Sequence, residues 1–211
     1  MKKLNYRNDL QSLRGLSLIL VFLFHFDQVF FKYLYIAVDI FFVISGYVIT
    51  SSIFNSINYN KYDLFTFYLK RIKRIYPGLT FFIVTFGILF FIFVNYSDGE
   101  YFEIILSSIT SIFGVSNFFY AFSPNLDYFR DDLKWLQHTW SVSTEIQFYF
   151  LYGLIFSIIL KFKNLVKVEK NLIIILISLS IISLSLFLFG KSNFISNYYS
   201  SFSRFWEFFV G

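Results

Sequence analysis

Residues 36–54 read IAVDIFFVISGYVITSSIF, and this stretch decides the fold class of the chain. It holds one charged residue, Asp39, in an otherwise apolar and hydroxyl-bearing run. A helix needs about 20 mostly apolar residues to cross the hydrocarbon core of a bilayer. The stretch therefore predicts a transmembrane helix over Ile36–Phe54.

Apolar segments of similar length recur on both sides of this one. The composition agrees, because 25% of the residues are aromatic and only 15% are charged, whereas a soluble domain carries about 25% charged residues. No internal repeat marks a second domain. We expect an all-α, polytopic transmembrane helix bundle that forms one membrane domain over residues 1–211, with no separate soluble domain. Its further spans are expected at Leu13–Phe31, Leu79–Tyr96, Trp140–Leu160 and Leu172–Phe189, with Arg204–Gly211 as the beginning of another.

The composition also excludes several kinds of chemistry. The chain has no cysteine, which rules out disulfides, thiolate metal ligands and acyl-cysteine intermediates. It has only two histidines, which argues against a zinc site, and we expect no bound metal or cofactor. The net charge of +5 comes from bases that we expect in short loops between spans, where they orient the chain, so we expect no nucleic-acid partner. We do not expect the N-terminal segment to be a signal peptide, because its apolar run contains His25 and another span follows.

Lysine and arginine residues predict the sidedness of the bundle. The basic N-terminus, the basic loop before a Pro77-Gly78 break, and the loop Lys161–Lys170 should all lie on the cytoplasmic side. The second and third of these segments can share one side only if an even number of crossings separates them. Leu79–Tyr96 and Trp140–Leu160 supply two crossings, so Tyr101–Phe122 should not cross the membrane. We therefore expect that segment to be re-entrant or interfacial on the outer side of a multi-pass membrane protein.

Two ionisable residues interrupt the first span. Arg14 and His25 are eleven residues apart, which places them on one helix face about 16 Å apart along the axis. Arg14 is expected near the inner surface, where it could also be a topology anchor. His25 is expected at or beyond the middle of the membrane, where it could also be a packing histidine. Ionisable groups inside spans are costly, by about 2.5–3.5 kcal/mol on insertion scales, so each is a functional hypothesis.

A second polar group lies on the span that begins near Trp140. His138, Ser141, Glu145 and Tyr149 follow helical spacing and share one face, with Glu145 near the predicted outer end. Glu145 could instead be an acidic residue at a dipole-favoured helix start.

A third polar group lies on the second span. Asp39, Gly46 and Thr50 share one face. Asp39 could be a lone interfacial charge, and Gly46 could simply allow close helix packing.

These residue types together suit acyl transfer to a hydroxyl. Histidine is the usual general base, a neighbouring carboxylate can orient it, and an inner arginine suits a phosphate-bearing donor. We therefore expect His25 and Glu145 to act as a unit. Spacing alone leaves a proton-coupled transporter nearly as plausible.

Five motifs in order resemble acyltransferase family 3, the membrane O-acyltransferases that modify bacterial surface glycans. The motifs are Arg14-x10-His25, Ala37-Val38-Asp39…Ser45-Gly46-Tyr47, Phe67-Tyr68…Arg71…Arg74…Pro77, His138-Thr139-Trp140-Ser141…Glu145…Tyr149 and Arg204-Phe205-Trp206-Glu207. Two positions depart from the family pattern, since Gln11 and Ile146 stand where acidic residues are common.

The resemblance implies a bacterial cytoplasmic membrane as the location. It also implies an acyl-CoA donor, usually acetyl-CoA, used on the cytoplasmic side, and a glycan hydroxyl acceptor outside. Catalysis would rest on His25, Glu145 and Arg14. Membrane lipids, acyl-CoA and the glycan are the expected partners. Donor phosphates would meet Arg14, Arg71 and Arg74, although Arg71 and Arg74 also fit ordinary positive-inside topology. Asp39, His138, Trp140 and Ser141 would line the acceptor side.

Family members usually have about ten spans. The resemblance therefore implies a C-terminally truncated chain, whose missing half could be encoded nearby. The alternative is a catalytically inactive membrane scaffold.

Overall fold

A computed structural model describes residues 8–27, 29–59, 61–93, 98–122, 136–161, 165–190 and 198–211, with side chains except at 25, 98–100, 161 and 165–171. Within these ranges every regular element is helical, so the all-α class is confirmed. A 3₁₀ helix, Lys32–Ile36, leads into α2. The α-helices are α1 (Asn8–Phe26), α2 (Ala37–Asn58), α3 (Leu64–Phe93), α4 (Asp98–Ile112), α5 (Ser116–Phe122), α6 (Thr139–Lys161), α7 (Leu165–Phe189) and α8 (Ser201–Val210).

Four helical segments of the described chain are long and apolar enough to cross a membrane, which confirms a polytopic bundle. Only 11% of the segment Leu172–Phe189 is buried against the rest of the protein, so its apolar side chains are available to lipid. The four segments are Lys32–Asn58, Leu64–Phe93, Thr139–Leu160 and Leu172–Phe189.

The helix α1 is displaced toward the N-terminus relative to the predicted span Leu13–Phe31, and it is not among these four segments. It ends at Phe26 because Asp27 starts a turn in place of another helical residue. The Asp27 Oδ1 atom accepts hydrogen bonds from the backbone N–H groups of Val29 and Phe30, at 3.0 and 2.9 Å. Aspartate side chains commonly compete with helix continuation in this way.

The predicted break at Pro77-Gly78 is wrong, because α3 continues through Pro77. Proline removes one backbone donor, which leaves the Lys73 carbonyl without its helical partner, but transmembrane helices tolerate this loss. The basic residues before Pro77 therefore belong to a helix and not to a loop. With 30 residues α3 is about 45 Å long, which exceeds the roughly 30 Å hydrocarbon core.

The predicted loop Lys161–Lys170 is also mostly helical. Helix α6 ends at Lys161 and α7 begins at Leu165. Only residues 162–164 separate them, and these lie outside the described residues. Helix formers such as leucine, lysine and glutamate occupy the start of α7, which is consistent with the early start.

A turn at Gly114 divides the segment Tyr101–Phe122. Gly114 has a φ of 68°, a left-handed conformation that glycine adopts without steric cost. The flanking helices α4 and α5 have 15 and 7 residues, fewer than the roughly 20 needed to cross. This geometry suits the predicted non-crossing segment; its side of the membrane stays a prediction.

Aromatic packing joins α2, α6 and α8 in the core. The Phe208 ring stacks on Phe42 and on Phe148, with centroid distances of 4.5 and 4.3 Å. At Gly46 a Cβ atom would overlap the Phe208 backbone carbonyl, so the helix-packing interpretation of Gly46 is confirmed. This close approach fixes how α2 packs on α8, and therefore which polar residues of these two helices can meet.

Candidate functional site

The carboxylate of Glu145 is the centre of a buried polar cluster. It lies in the second turn of α6, and the residue is 6% exposed. Its Oε1 atom accepts hydrogen bonds from Ser45 Oγ on α2 at 3.1 Å and from Tyr149 OH one turn further along α6. It also accepts one from Arg14 Nη2 on α1 at 3.5 Å. Three helices thus place donors around one carboxylate.

The contact between Arg14 and Glu145 corrects the predicted depths of these two residues. We expected Arg14 near the inner surface and Glu145 near the outer end, but they form an ion pair. Helix α1 begins at Asn8, so Arg14 already lies well inside the helix, and its long side chain covers part of the remaining distance. Its guanidinium lies 5.0 Å from the centroid of the Phe41 ring, which adds a cation–π contact.

His25 belongs to α1, but its side chain lies outside the described part of the chain. The predicted pairing of His25 with Glu145 is therefore untested. The backbone of His25 is about 16 Å further along α1 than that of Arg14. The described partners of Glu145 are Arg14, Ser45 and Tyr149.

Arg71 adjoins this centre from α3 and is half-buried. Its Nη2 atom donates to Ser52 Oγ at 3.3 Å, and its guanidinium lies 5.6 Å from the Tyr149 ring centroid. Its Nε atom is buried and has no hydrogen-bond partner among the described residues. Arg74, almost one turn further on, is exposed, so the two arginines do not share an environment.

A cavity of about 280 Å³ lies between α3 and α6, beside the Glu145 centre. We call it the α3/α6 cavity, and its walls are mostly apolar. It is lined by Tyr68, Arg71, Ile72, Ile75, Tyr76, Ile146, Tyr149 and Phe150.

A second charged cluster joins α2 and α8. Arg204 is buried and forms ion pairs with Asp39 and with Glu207, the latter at 2.9 Å. The interpretation of Asp39 as a lone interfacial charge is therefore wrong. Glu207 is fully buried, and sequence reasoning assigned it no role. The signal was present, since Arg204 and Glu207 stand three residues apart in an apolar run, where ionisable residues are rare.

The residues predicted to line the acceptor side with Asp39 make packing contacts and one local hydrogen bond. Trp140 is 1% exposed and lies 5.0 Å from Tyr198 between ring centroids. Ser141 Oγ donates to the His138 carbonyl at 3.0 Å. The His138 ring lies edge-on to Phe82 at 4.7 Å. Their role toward an acceptor stays a prediction.

A network of uncharged polar groups ties the non-spanning helix α5 to α6 and α8. Asn117 Nδ2 donates to Ser201 Oγ at 2.8 Å, and Asn117 Oδ1 accepts from Gln147 Nε2 at 2.7 Å. Gln147 Nε2 also donates to the Gly114 carbonyl at 2.7 Å. Sequence reasoning did not single out this network.

In the described ranges no group of three or more acidic or histidine residues is placed to hold a metal ion.

Comparisons with known proteins converge on one family. The family described as an acyltransferase domain matches residues 7–211. The chain is 33% identical over 170 residues to the O-acetyltransferase OatA of Staphylococcus aureus strains NCTC 8325 and MRSA252, covering 77% of this chain and 27% of those proteins. SAS0844 of S. aureus strain MSSA476 is 29% identical over 175 residues, covering 79% of this chain and 28% of that protein. The chain thus spans about a quarter of the length of these relatives. No solved structure matches.

Proposed function

Because the chain belongs to the acyltransferase 3 family, we propose that it forms the membrane core of an O-acyltransferase. The reaction would move an acyl group from cytoplasmic acyl-CoA to a hydroxyl of a cell-surface or exported glycan. The O-acetyltransferase name of OatA supports an oxygen acceptor and suggests acetyl as one acyl group. The observation that carries the proposal is the buried Glu145 carboxylate, which draws donors from three helices.

The chemistry requires one exchange of bonds and two proton transfers. The acceptor oxygen attacks the thioester carbonyl carbon and loses its proton to a base, while the carbon–sulfur bond breaks and coenzyme A leaves as the thiolate. By family resemblance His25 is the base, since imidazole suits proton transfer near neutral pH. The proton then passes to the thiolate, so the reaction releases free coenzyme A.

Arg14 and Glu145 would provide the fixed electrostatics of this centre. A guanidinium carries five N–H donors, so Arg14 keeps donors for substrate while Nη2 contacts Glu145. Such donors can stabilise the negative charge that develops on the thioester oxygen. Glu145 balances the arginine charge, which a buried site requires.

Arg71 is the better candidate of the two α3 arginines for the donor phosphates. It is half-buried beside the centre, and its Nε atom has no partner among the described side chains. Arg74 is exposed, and positive-inside topology accounts for it. A planar guanidinium binds phosphate through two parallel hydrogen bonds, which lysine cannot reproduce.

The test compares Arg71→Lys with the matched control Arg74→Lys. The purified chain in lipid nanodiscs is titrated with coenzyme A, and binding is measured by calorimetry. We expect Arg71→Lys to weaken binding about tenfold, equivalent to about 1.4 kcal/mol, and Arg74→Lys to change it less than twofold. Equal effects of the two substitutions would refute the assignment of Arg71.

Catalysis is tested in cells that carry the complete acylation system. His25→Ala and Glu145→Gln should each abolish most glycan acylation while the protein remains in the membrane at parental amounts. Parental acylation by His25→Ala at normal protein levels would contradict the role of His25 as the base.

A further inference from the structure

We propose that the α3/α6 cavity receives the acyl chain of the donor and admits chains longer than acetyl. This inference rests on the proposed acyl-CoA function and names the acyl class that the site accepts. The cavity adjoins the Glu145 centre, because Tyr149 lines the cavity and also donates a hydrogen bond to Glu145. A chain in the cavity would hold its thioester beside the Glu145 centre.

The cavity is larger than acetyl requires. Its volume is about 280 Å³, against the roughly 30 Å³ that one water occupies in the liquid. An acetyl group has three non-hydrogen atoms and would leave most of this space empty. The walls include Ile72, Ile75 and Ile146, which suit methylene groups and offer nothing to a polar acyl chain.

The charge beside the cavity favours a donor over a lipid tail. Arg71 is the charged residue in the lining, and its Nε atom is buried without a hydrogen-bond partner among the described residues. A thioester donor places its carbonyl oxygen and the amide oxygens of its pantetheine arm near its acyl chain, whereas a lipid tail places only hydrocarbon there. The cavity nevertheless opens toward the bilayer, because Ile72 and Phe150 are 48% and 59% exposed. A lipid tail is therefore the competing occupant.

The experiment measures binding against chain length. The chain in nanodiscs is titrated with coenzyme A and with its S-ethyl, S-butyl, S-hexyl and S-octyl thioethers, which match the chain lengths of acetyl, butyryl, hexanoyl and octanoyl donors and cannot transfer an acyl group. We expect each added methylene to tighten binding up to about fourfold, the ratio that corresponds to about 0.8 kcal/mol per buried CH₂. The gain should stop once the cavity is full.

Three variants separate the cavity from non-specific partitioning. Ile75→Phe reduces the space and should remove most of the chain-length gain, whereas Ile75→Ala enlarges it and should move the optimum to longer chains. The matched control Ile88→Phe changes an exposed residue of the same helix, outside the cavity lining, and should keep the parental gain. Thermal melting of each variant checks that it is folded.

The outcomes distinguish this inference from the proposed function. Binding of coenzyme A with no chain-length gain would overturn the acyl cavity and leave the donor assignment intact. A gain that both Ile75 variants leave unchanged would come from partition into lipid and would also overturn it. Failure of coenzyme A and all analogues to bind would overturn the proposed donor and this inference together.

Discussion

Neutralising one partner of the Arg14–Glu145 pair should destabilise the bundle far more than loss of an ordinary interhelical hydrogen bond. Two unit charges 3.5 Å apart attract by about 5 kcal/mol at an effective dielectric constant near 20. Breaking a buried ion pair from one side costs about 3–5 kcal/mol, because the remaining charge loses its partner. Interhelical hydrogen bonds in a membrane contribute only about 0.6 kcal/mol on average.

The two single variants should differ from one another. In Arg14→Met the carboxylate of Glu145 keeps its hydroxyl donors from Ser45 and Tyr149. In Glu145→Gln the buried guanidinium keeps its charge and loses its anion. Glu145→Gln should therefore be the more damaging change. The double variant should recover part of the loss, with a coupling free energy of about 3 kcal/mol.

The assay is reversible unfolding in mixed detergent micelles, with the free energy of unfolding compared at one denaturant fraction for the parent, both single variants and the double variant. Glu103→Gln is the matched control, because Glu103 is an exposed carboxylate on α4. Glycan acylation in the complete system should stay lost in all three site variants, including the restabilised double variant. A coupling free energy below about 1 kcal/mol would refute the ion pair, and recovered acylation in the double variant would refute its catalytic role.

Three further predictions concern packing, topology and pH. Gly46→Ala should lower the free energy of unfolding by about 1–3 kcal/mol through overpacking. Gly87→Ala, whose Cβ would meet open space, should be neutral or slightly stabilising. Equal losses of stability in the two variants would contradict this account. In the naturally cysteine-free chain, an impermeant thiol reagent added to intact cells should label Phe122→Cys and not Tyr59→Cys, and the reverse pattern would invert the topology. Hydrogen bonds from the first turn of α3 hold the pKa of Asp63 below its ordinary value. The stabilisation of α3 by Asp63 is therefore present at neutral pH and is lost as the pH falls through that lowered pKa. Asp63→Ala should remove part of the acid-induced loss of helicity, and an unchanged acid transition would count against the cap.

The positions of the spans could be predicted because a bilayer imposes one simple requirement on length and apolarity. Gly46 could also be assigned from its small size within a span. The continuation of α3 through Pro77 could not be predicted, because proline usually ends a helix in soluble proteins. In a membrane the helix continues, since no other structure satisfies its backbone hydrogen-bonding groups.

The polar site was harder to predict than the spans. Periodicity shows which residues share a face of one helix, and it did place Glu145 and Tyr149 together. It contains no information on the register between helices, so the pairing of Arg14 with Glu145 and of Asp39 with Arg204 was not foreseen. Those registers depend on packing such as the close approach of Gly46 to α8, which becomes visible only in three dimensions.

The Asn117–Ser201 hydrogen bond also has a consequence for biosynthesis. Its two partners are 84 residues apart in the chain. At a translation rate of about 5–20 residues per second, Ser201 is synthesised about 4–17 seconds after Asn117. During that interval the Nδ2 group of Asn117 must find water or a temporary partner at the membrane. The contact of α5 with α8 is therefore a late event, and slower translation between the two residues should lengthen the time during which quality-control proteases can recognise the nascent protein.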